Sequence, residues 1–235
     1  MDYPKIVLFG DSITEYGYRQ GIAATLSDLY QRRLDIVTRG FSGYNTRWAL
    51  DLLEPALENA GPHIAAVVIF FGTNDACNSG PQAVPIDEYT SNLTQMVAIA
   101  SRYAPHIVLV GTAVVDEHLR EDLIRTNKRF LEFNRAAANV AAHTGTQFID
   151  LWSLIRTRNR EPLDLSEPVS GQMDYKGSNT VSQYVPDGIH FSPLAYSVWH
   201  DALVALLTKL GLGPESFPYR YPPWRELVHT LSETT

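Results

Sequence analysis

The chain has 235 residues, 45% of them AVILMFWYC and 19% DEKR, a size and balance that fit one globular domain spanning residues 1–235 with a full core. A formal net charge of -7 without any run of Lys and Arg excludes a phosphate-neutralising surface, so nucleic acid is not an expected partner. Cys77 is the single cysteine, which excludes an intramolecular disulfide and a thiolate zinc cluster and agrees with a reducing compartment.

The first residues read as a strand, not a signal peptide. The longest apolar run, from 64 to 71, is too short to span a bilayer. The expected location is therefore cytoplasmic or otherwise intracellular, with no stable membrane anchor. A first strand at 6–9 is followed by helical spacing over 21–33, with Leu26, Leu29 and Tyr30 on one face. A strand at 34–37 leads to a helix over 46–59, and a strand at 65–71 to a helix over 87–103. A strand at 107–110 leads to a helix over 121–143, and a fifth strand covers 147–149. These runs are mostly apolar and rich in β-branched residues, as strands buried on both faces are. The segment 158–185 is polar, carries Pro162, Pro168, Gly171 and Gly177, and reads as one long loop. A last helix over 193–210 starts with Pro193 after a Ser192 cap and stops before Gly211. The tail, 212–235, holds Pro214, Pro218, Pro222 and Pro223 and is expected to cross the surface before a short helix at Trp224 to Leu227. Five alternations of strand and helix predict a doubly wound, three-layer α/β/α fold around a five-stranded parallel sheet.

In such sheets ligands bind where strands end at their carboxyl side. The first strand exits into Gly10-Asp11-Ser12, the second into Arg39-Gly40-Phe41-Ser42-Gly43, and the third into Gly72-Thr73-Asn74-Asp75. Each exit joins glycine, which lets backbone amides approach a ligand, to a polar side chain. Acyl transfer needs a nucleophile, a base and donors for the oxyanion. Ser12 supplies the first, and the amides of Ser12 and Gly43 with the Asn74 side chain supply the last. Of seven histidines, His63 and His106 precede strands and belong to the opposite edge, His143 and His200 belong to helices, and His229 to the tail. That leaves His118 and His190. Only His190 has an acid at short range, Asp187 across Gly188, able to hold the imidazole tautomer. Asp150, at the end of the fifth strand, is the second-ranked acid.

Each of these residues also has a plainer reading. Ser12 can cap a helix, Asp187 can be a turn residue, His190 can cap the final helix, and Gly43 can satisfy a backbone angle. Asp11 and Asp75 are expected to hold their loops through hydrogen bonds to backbone amides, and Cys77 to pack. Phe41, Trp48 and Phe191 either line a substrate pocket or belong to the core. The chain has no His-Glu-x-x-His, no cysteine pair, no acidic calcium-type loop, no Gly-x-Gly-x-x-Gly after a strand and no phosphate loop. No metal or cofactor is expected.

Phe9-Gly10-Asp11-Ser12-Ile13-Thr14, the Gly43 region, Gly72-Thr73-Asn74-Asp75 and Asp187-Gly188-Ile189-His190 resemble, in order, the four motif blocks of SGNH/GDSL hydrolases. That resemblance implies a flavodoxin-like SGNH fold, with Ser12 as nucleophile and Asp187 and His190 completing a triad. It also implies an oxyanion hole made by the Ser12 and Gly43 amides and Asn74. The stretch Arg39 to Tyr44 with Thr46-Arg47-Trp48-Ala49-Leu50, Asn74-Asp75-Ala76-Cys77 with Gly80-Pro81-Gln82 and Val84-Pro85, and His190-Phe191-Ser192 is similar to the isoamyl acetate-hydrolysing esterases of fungi and plants. This implies a small-molecule ester substrate with a short acyl chain, such as an acetate ester of a medium-length alcohol. Thioesterase, lysophospholipase or carbohydrate deacetylase activity on the same triad, or a catalytically silent lipid-binding role, are the alternatives. Two departures flank the site: 158–185 is longer than that subgroup implies, and the connection 15–21 is shorter. Nothing in the sequence specifies an oligomeric state.

Overall fold

The computed structural model describes residues 3–119, 124–221 and 223–226. Five strands, β1 (Lys5–Gly10), β2 (Asp35–Gly40), β3 (Ile64–Phe70), β4 (His106–Val110) and β5 (Gln147–Ile149), pair in parallel in the order β2-β1-β3-β4-β5. β1 is buried along its whole length and β3 along nearly all of it, because helices cover both faces. The helices are α1 (Ser12–Glu15), α2 (Gly17–Gln20), α3 (Ile22–Leu29), α4 (Thr46–Ala60), α5 (Ile86–Ala100), α6 (Asn127–Thr144), α7 (Leu151–Arg158) and α8 (Pro193–Lys209). α4, α5 and α6 pack side by side in one layer; α3, α8 and α7 form the other. The fold is the expected three-layer α/β/α arrangement. The chain leaves β1 toward β2 and leaves β3 toward β4, so the crevice between the β1 and β3 ends is the point where strand order reverses.

Several boundaries differ from the periodicity. The helix expected over 21–33 is confined to Ile22–Leu29, and Leu29 is exposed while Ile22, Ala23, Leu26 and Tyr30 are buried. The helix expected from 121 begins at Asn127, where the Thr126 hydroxyl accepts from Arg129 N at 3.3 Å; the start expected at Glu121 lies outside the described residues. α7 has no counterpart in the sequence reading. Asp150 caps it, accepting from Ser153 N at 3.0 Å, and Leu151, Trp152, Ile155 and Arg156 are its buried residues. Ser192 caps α8 as expected, accepting from Ala195 N at 3.4 Å.

Between Arg158 and Val185 the only regular element is a 3-10 turn at Val181–Gln183, yet the segment is built into the molecule. Val169, Ser170, Val181 and Val185 are buried. Arg156, fully buried, donates to Ser170 O at 3.0 Å and Asn127 Oδ1 at 2.9 Å and pairs with Glu161. These are isolated polar anchors without period, which is why the segment reads as plain loop. The tail packs on the end of α3: Tyr30 Oη donates to Leu212 O at 2.7 Å, and Arg33 donates to Pro214 O and Phe217 O, both at 2.7 Å. Residues 224–226 are helical, and Leu227 lies outside the described residues. Among the described residues no helix is long and apolar enough to cross a membrane.

Candidate active site

β1 ends at Gly10, and the next residue, Asp11, is the cap of α1, its Oδ1 accepting from Ile13 N at 2.9 Å. The capping role is therefore filled, and Ser12 is the first residue inside the helix. Its Oγ lies 2.9 Å from His190 Nε2, and His190 Nδ1 lies 2.6 Å from Asp187 Oδ2. Asp187 holds its own turn as well, with Oδ1 accepting from Ile189 N at 3.1 Å and from His190 N at 2.8 Å. Gly188 between them has φ +99°, which glycine adopts without strain. Partial burial works to raise the Asp187 pKa, but the hydrogen bonds from His190 and the two amides outweigh it and hold the carboxyl below its ordinary value. An ionised carboxylate only accepts, so Nδ1 carries the imidazole proton and the Nε2 lone pair faces the Ser12 hydroxyl.

The exits of β2 and β3 meet beside this line. Residues 41–44 form a turn closed by Tyr44 N donating to Phe41 O at 3.1 Å, with Gly43 at φ +78°. Among the described residues the amide hydrogens of Ser12 and Gly43 are not spent on any other protein group. Asn74 Nδ2 donates one hydrogen to Tyr44 O at 2.8 Å. Its Oδ1 accepts from Arg125 Nη2 at 3.0 Å and Gln82 Nε2 at 3.1 Å, so the second Nδ2 hydrogen remains available. Sequence reasoning did not single out Arg125, which carries no motif and reaches Asn74 across 51 residues. It also missed Tyr16, whose ring centroid lies 5.2 Å from that of His190.

Asp11 and Asp75 hold loops as expected; Asp75 Oδ1 accepts from Thr46 N at 2.9 Å. Burial raises Asp11 to about 7 and Asp75 to about 6, against an ordinary 3.8. Cys77 is buried. Asp150 bonds Ser153 and Asn134, and His118 lies in a short 3-10 turn, so neither is joined to His190.

The three aromatic residues divide. Trp48 is 39% exposed and packs edge-on against Tyr44; Phe41 is half-buried between Phe9 and Tyr44. Phe191 is 1% exposed and packs against Phe70 and Tyr196, so it belongs to the core and does not line a pocket.

Residues 8–198 match the model of the GDSL-like Lipase/Acylhydrolase family. The chain is similar to an isoamyl acetate-hydrolyzing esterase of Saccharomyces cerevisiae, 30% identical over 97% of each chain. A mouse isoamyl acetate-hydrolyzing esterase 1 homolog is 34% identical, over 98% of this chain and 91% of its own. A solved lipase/acylhydrolase from Enterococcus faecalis superposes with a TM-score of 0.67 at 25% identity, covering 93% of this chain and 100% of that one. With this family match over most of its length and these relatives over nearly all of it, the chain belongs to the GDSL-like lipase/acylhydrolase family and is a carboxylic ester hydrolase.

Proposed function

We propose that the chain hydrolyses small carboxylic esters through an acyl-enzyme on Ser12, with short-chain esters, above all acetates of medium-length alcohols, as substrates. The observation that carries the mechanism is the hydrogen-bonded line from Ser12 Oγ through His190 to Asp187, at 2.9 and 2.6 Å. Ser12 Oγ attacks the ester carbonyl while His190 Nε2 takes its proton; the imidazolium formed is stabilised by Asp187. The carbonyl oxygen becomes an oxyanion, received by the Ser12 and Gly43 amides and the free hydrogen of Asn74 Nδ2. His190 returns the proton to the departing alcohol. It then activates a water that attacks the acyl-enzyme, releasing the carboxylic acid and restoring Ser12. The substrate half of the reading is supported by similarity to the yeast and mouse esterases.

Changing Ser12 to Ala is expected to lower kcat/KM on p-nitrophenyl acetate by on the order of 10⁵-fold with an unaltered circular dichroism melt. Wild-type turnover in that variant would remove Ser12 from the mechanism. A matched ester series that varies acyl and alcohol sides independently tests the substrate. Steep preference for acetyl with tolerance on the alcohol side is expected. Preference for long acyl chains, thioesters or acetylated sugars would overturn it.

A further inference from the structure

Arg125 is 9% exposed and places its guanidinium among three neutral acceptors. Nε donates to Thr73 O at 3.1 Å, and Nη2 to Asn74 Oδ1 at 3.0 Å and Gln82 Oε1 at 2.9 Å. Its hydrogen bonds to described residues all go to amide oxygens, and none to a carboxylate. Gln82, its oxygen occupied by Arg125, must turn its NH₂ the other way. That group donates to Gly43 O at 2.7 Å and to Asn74 Oδ1 at 3.1 Å. Asn45 Nδ2 holds the Gln82 backbone in place through Gln82 O at 2.9 Å.

A carboxamide has nearly the same shape after a half-turn, so packing alone does not decide which end of Asn74 faces the substrate. Flipped, it would present oxygen to the oxyanion and NH₂ to a guanidinium, an acceptor against negative charge and a donor against donors. Two donors on Oδ1, one of them cationic, exclude that state. The cation also withdraws electron density from Oδ1 and so strengthens Nδ2–H as a donor. Gln82 extends the same control to the Gly43 turn, tying together the exits of β2 and β3.

We propose that Arg125, directly and through Gln82, is the positioning residue of the oxyanion hole, locking the Asn74 amide with Nδ2 toward the oxyanion and adding positive charge beside it as the tetrahedral intermediate forms. This rests on the reading of Asn74 and Gly43 as oxyanion donors.

The test is steady-state kinetics on p-nitrophenyl acetate for Asn74→Ala, Arg125→Met, Arg125→Lys and Gln82→Met, with Arg125→Met and Gln82→Met repeated in the Asn74→Ala background. Asn74→Ala is expected to lower kcat by about 10²- to 10³-fold. Arg125→Met should lower kcat by about 10- to 100-fold with KM changed less than about threefold, and Arg125→Lys, which keeps the charge without the fork, should recover part of the loss. In the Asn74→Ala background Arg125→Met should cost less than about threefold more, since the group it orients is gone. Equal losses in both backgrounds, or a loss confined to KM, would overturn the proposal and leave Arg125 a residue of the fold alone. If Arg125→Met does not fold, Gln82→Met carries the same comparison, and a loss from it that ignores Asn74 is equally fatal. Wild-type turnover in Asn74→Ala is a different result: it sinks the oxyanion reading itself, while Ser12→Ala still judges the nucleophile.

Discussion

Two carboxylates next to the reacting groups, Asp11 and Asp75, are buried, and each leaves its Oδ2 without a hydrogen-bond partner among the described residues. Burial disfavours their charged forms and lifts Asp11 to about 7 and Asp75 to about 6, although Arg125 pulls Asp11 the other way. Both values lie above those of the unfolded chain. The stability these groups contribute as neutral acids is therefore fully present below about pH 4 and is lost as pH rises through about 6 to 7. Asp187, held below its ordinary value, has the opposite sign: its contribution is present above the ordinary carboxylate range and fades on acidification. Asp11→Asn keeps the oxygen that caps α1 and cannot ionise. The urea midpoint of this variant, followed between pH 4.5 and 7.5, is expected to fall less with rising pH than that of the unaltered protein. Parallel curves would show that burial of Asp11 does not govern this range.

At the scale of elements, the position of Ser12 depends on a helix of four residues, too short to be stable alone. α1 is held from three sides. Asp11 caps it, Tyr196 of α8 donates to Ile13 O at 2.6 Å, and Glu15 Oε2 accepts from Ser42 N at 2.7 Å. β2 ends directly against it at Gly40, where an added Cβ would lie 2.2 Å from Glu15 N and 2.4 Å from Glu15 Cα. Those are backbone atoms that cannot rotate aside. Gly40→Ala must therefore displace α1, and Ser12 with it, from a histidine that belongs to a different part of the chain. We expect a loss of about 1–3 kcal/mol in stability and about 10²-fold in kcat/KM. Chemical denaturation and ester kinetics on the same preparation check both. Unchanged kinetics would mean that α1 accommodates the methyl without moving Ser12.

Across the whole molecule, Ser12 and His190 are 178 residues apart, and their separation of 2.9 Å is set by everything that seats the segment before α8. Asp116 N donates to Gly188 O at 2.9 Å within the turn that carries His190, and Asn179 Nδ2 donates to Asp116 Oδ2 at 2.8 Å. Ser192 N donates to Tyr184 O at 2.8 Å. Behind these contacts lies the pair of buried Arg156 with half-buried Glu161, Thr180 Oγ1 also donating to Glu161. Burial lowers the Arg156 pKa and Glu161 opposes that shift ahead of the more distant Glu117, so removing the Glu161 carboxylate takes from a buried cation its hydrogen-bonded counter-charge. Glu161→Gln is expected to cost about 1–3 kcal/mol. It should also open 158–185 to limited proteolysis before global unfolding. An unchanged melting temperature and cleavage pattern would show that the pair does not anchor this segment.

The amino-acid sequence by itself determined the layer architecture and the identities of Ser12, Asp187 and His190 as one candidate set. The burial of β1, β3 and β4 is written in uninterrupted apolar runs, and an acid three residues from a histidine across glycine is a local pattern. Gly43 and Asn74 were legible for the same reason, each lying at a strand exit marked by glycine. Only the tertiary structure decided that Asp11, not Ser12, caps α1, that Phe191 faces the core, that α7 exists, and that 158–185 is anchored. It alone joined Arg125 and Gln82 to Asn74. Those outcomes depend on which polar groups meet after the chain has closed on itself, and single hydrogen bonds across 40 to 180 residues leave no period or motif in the sequence.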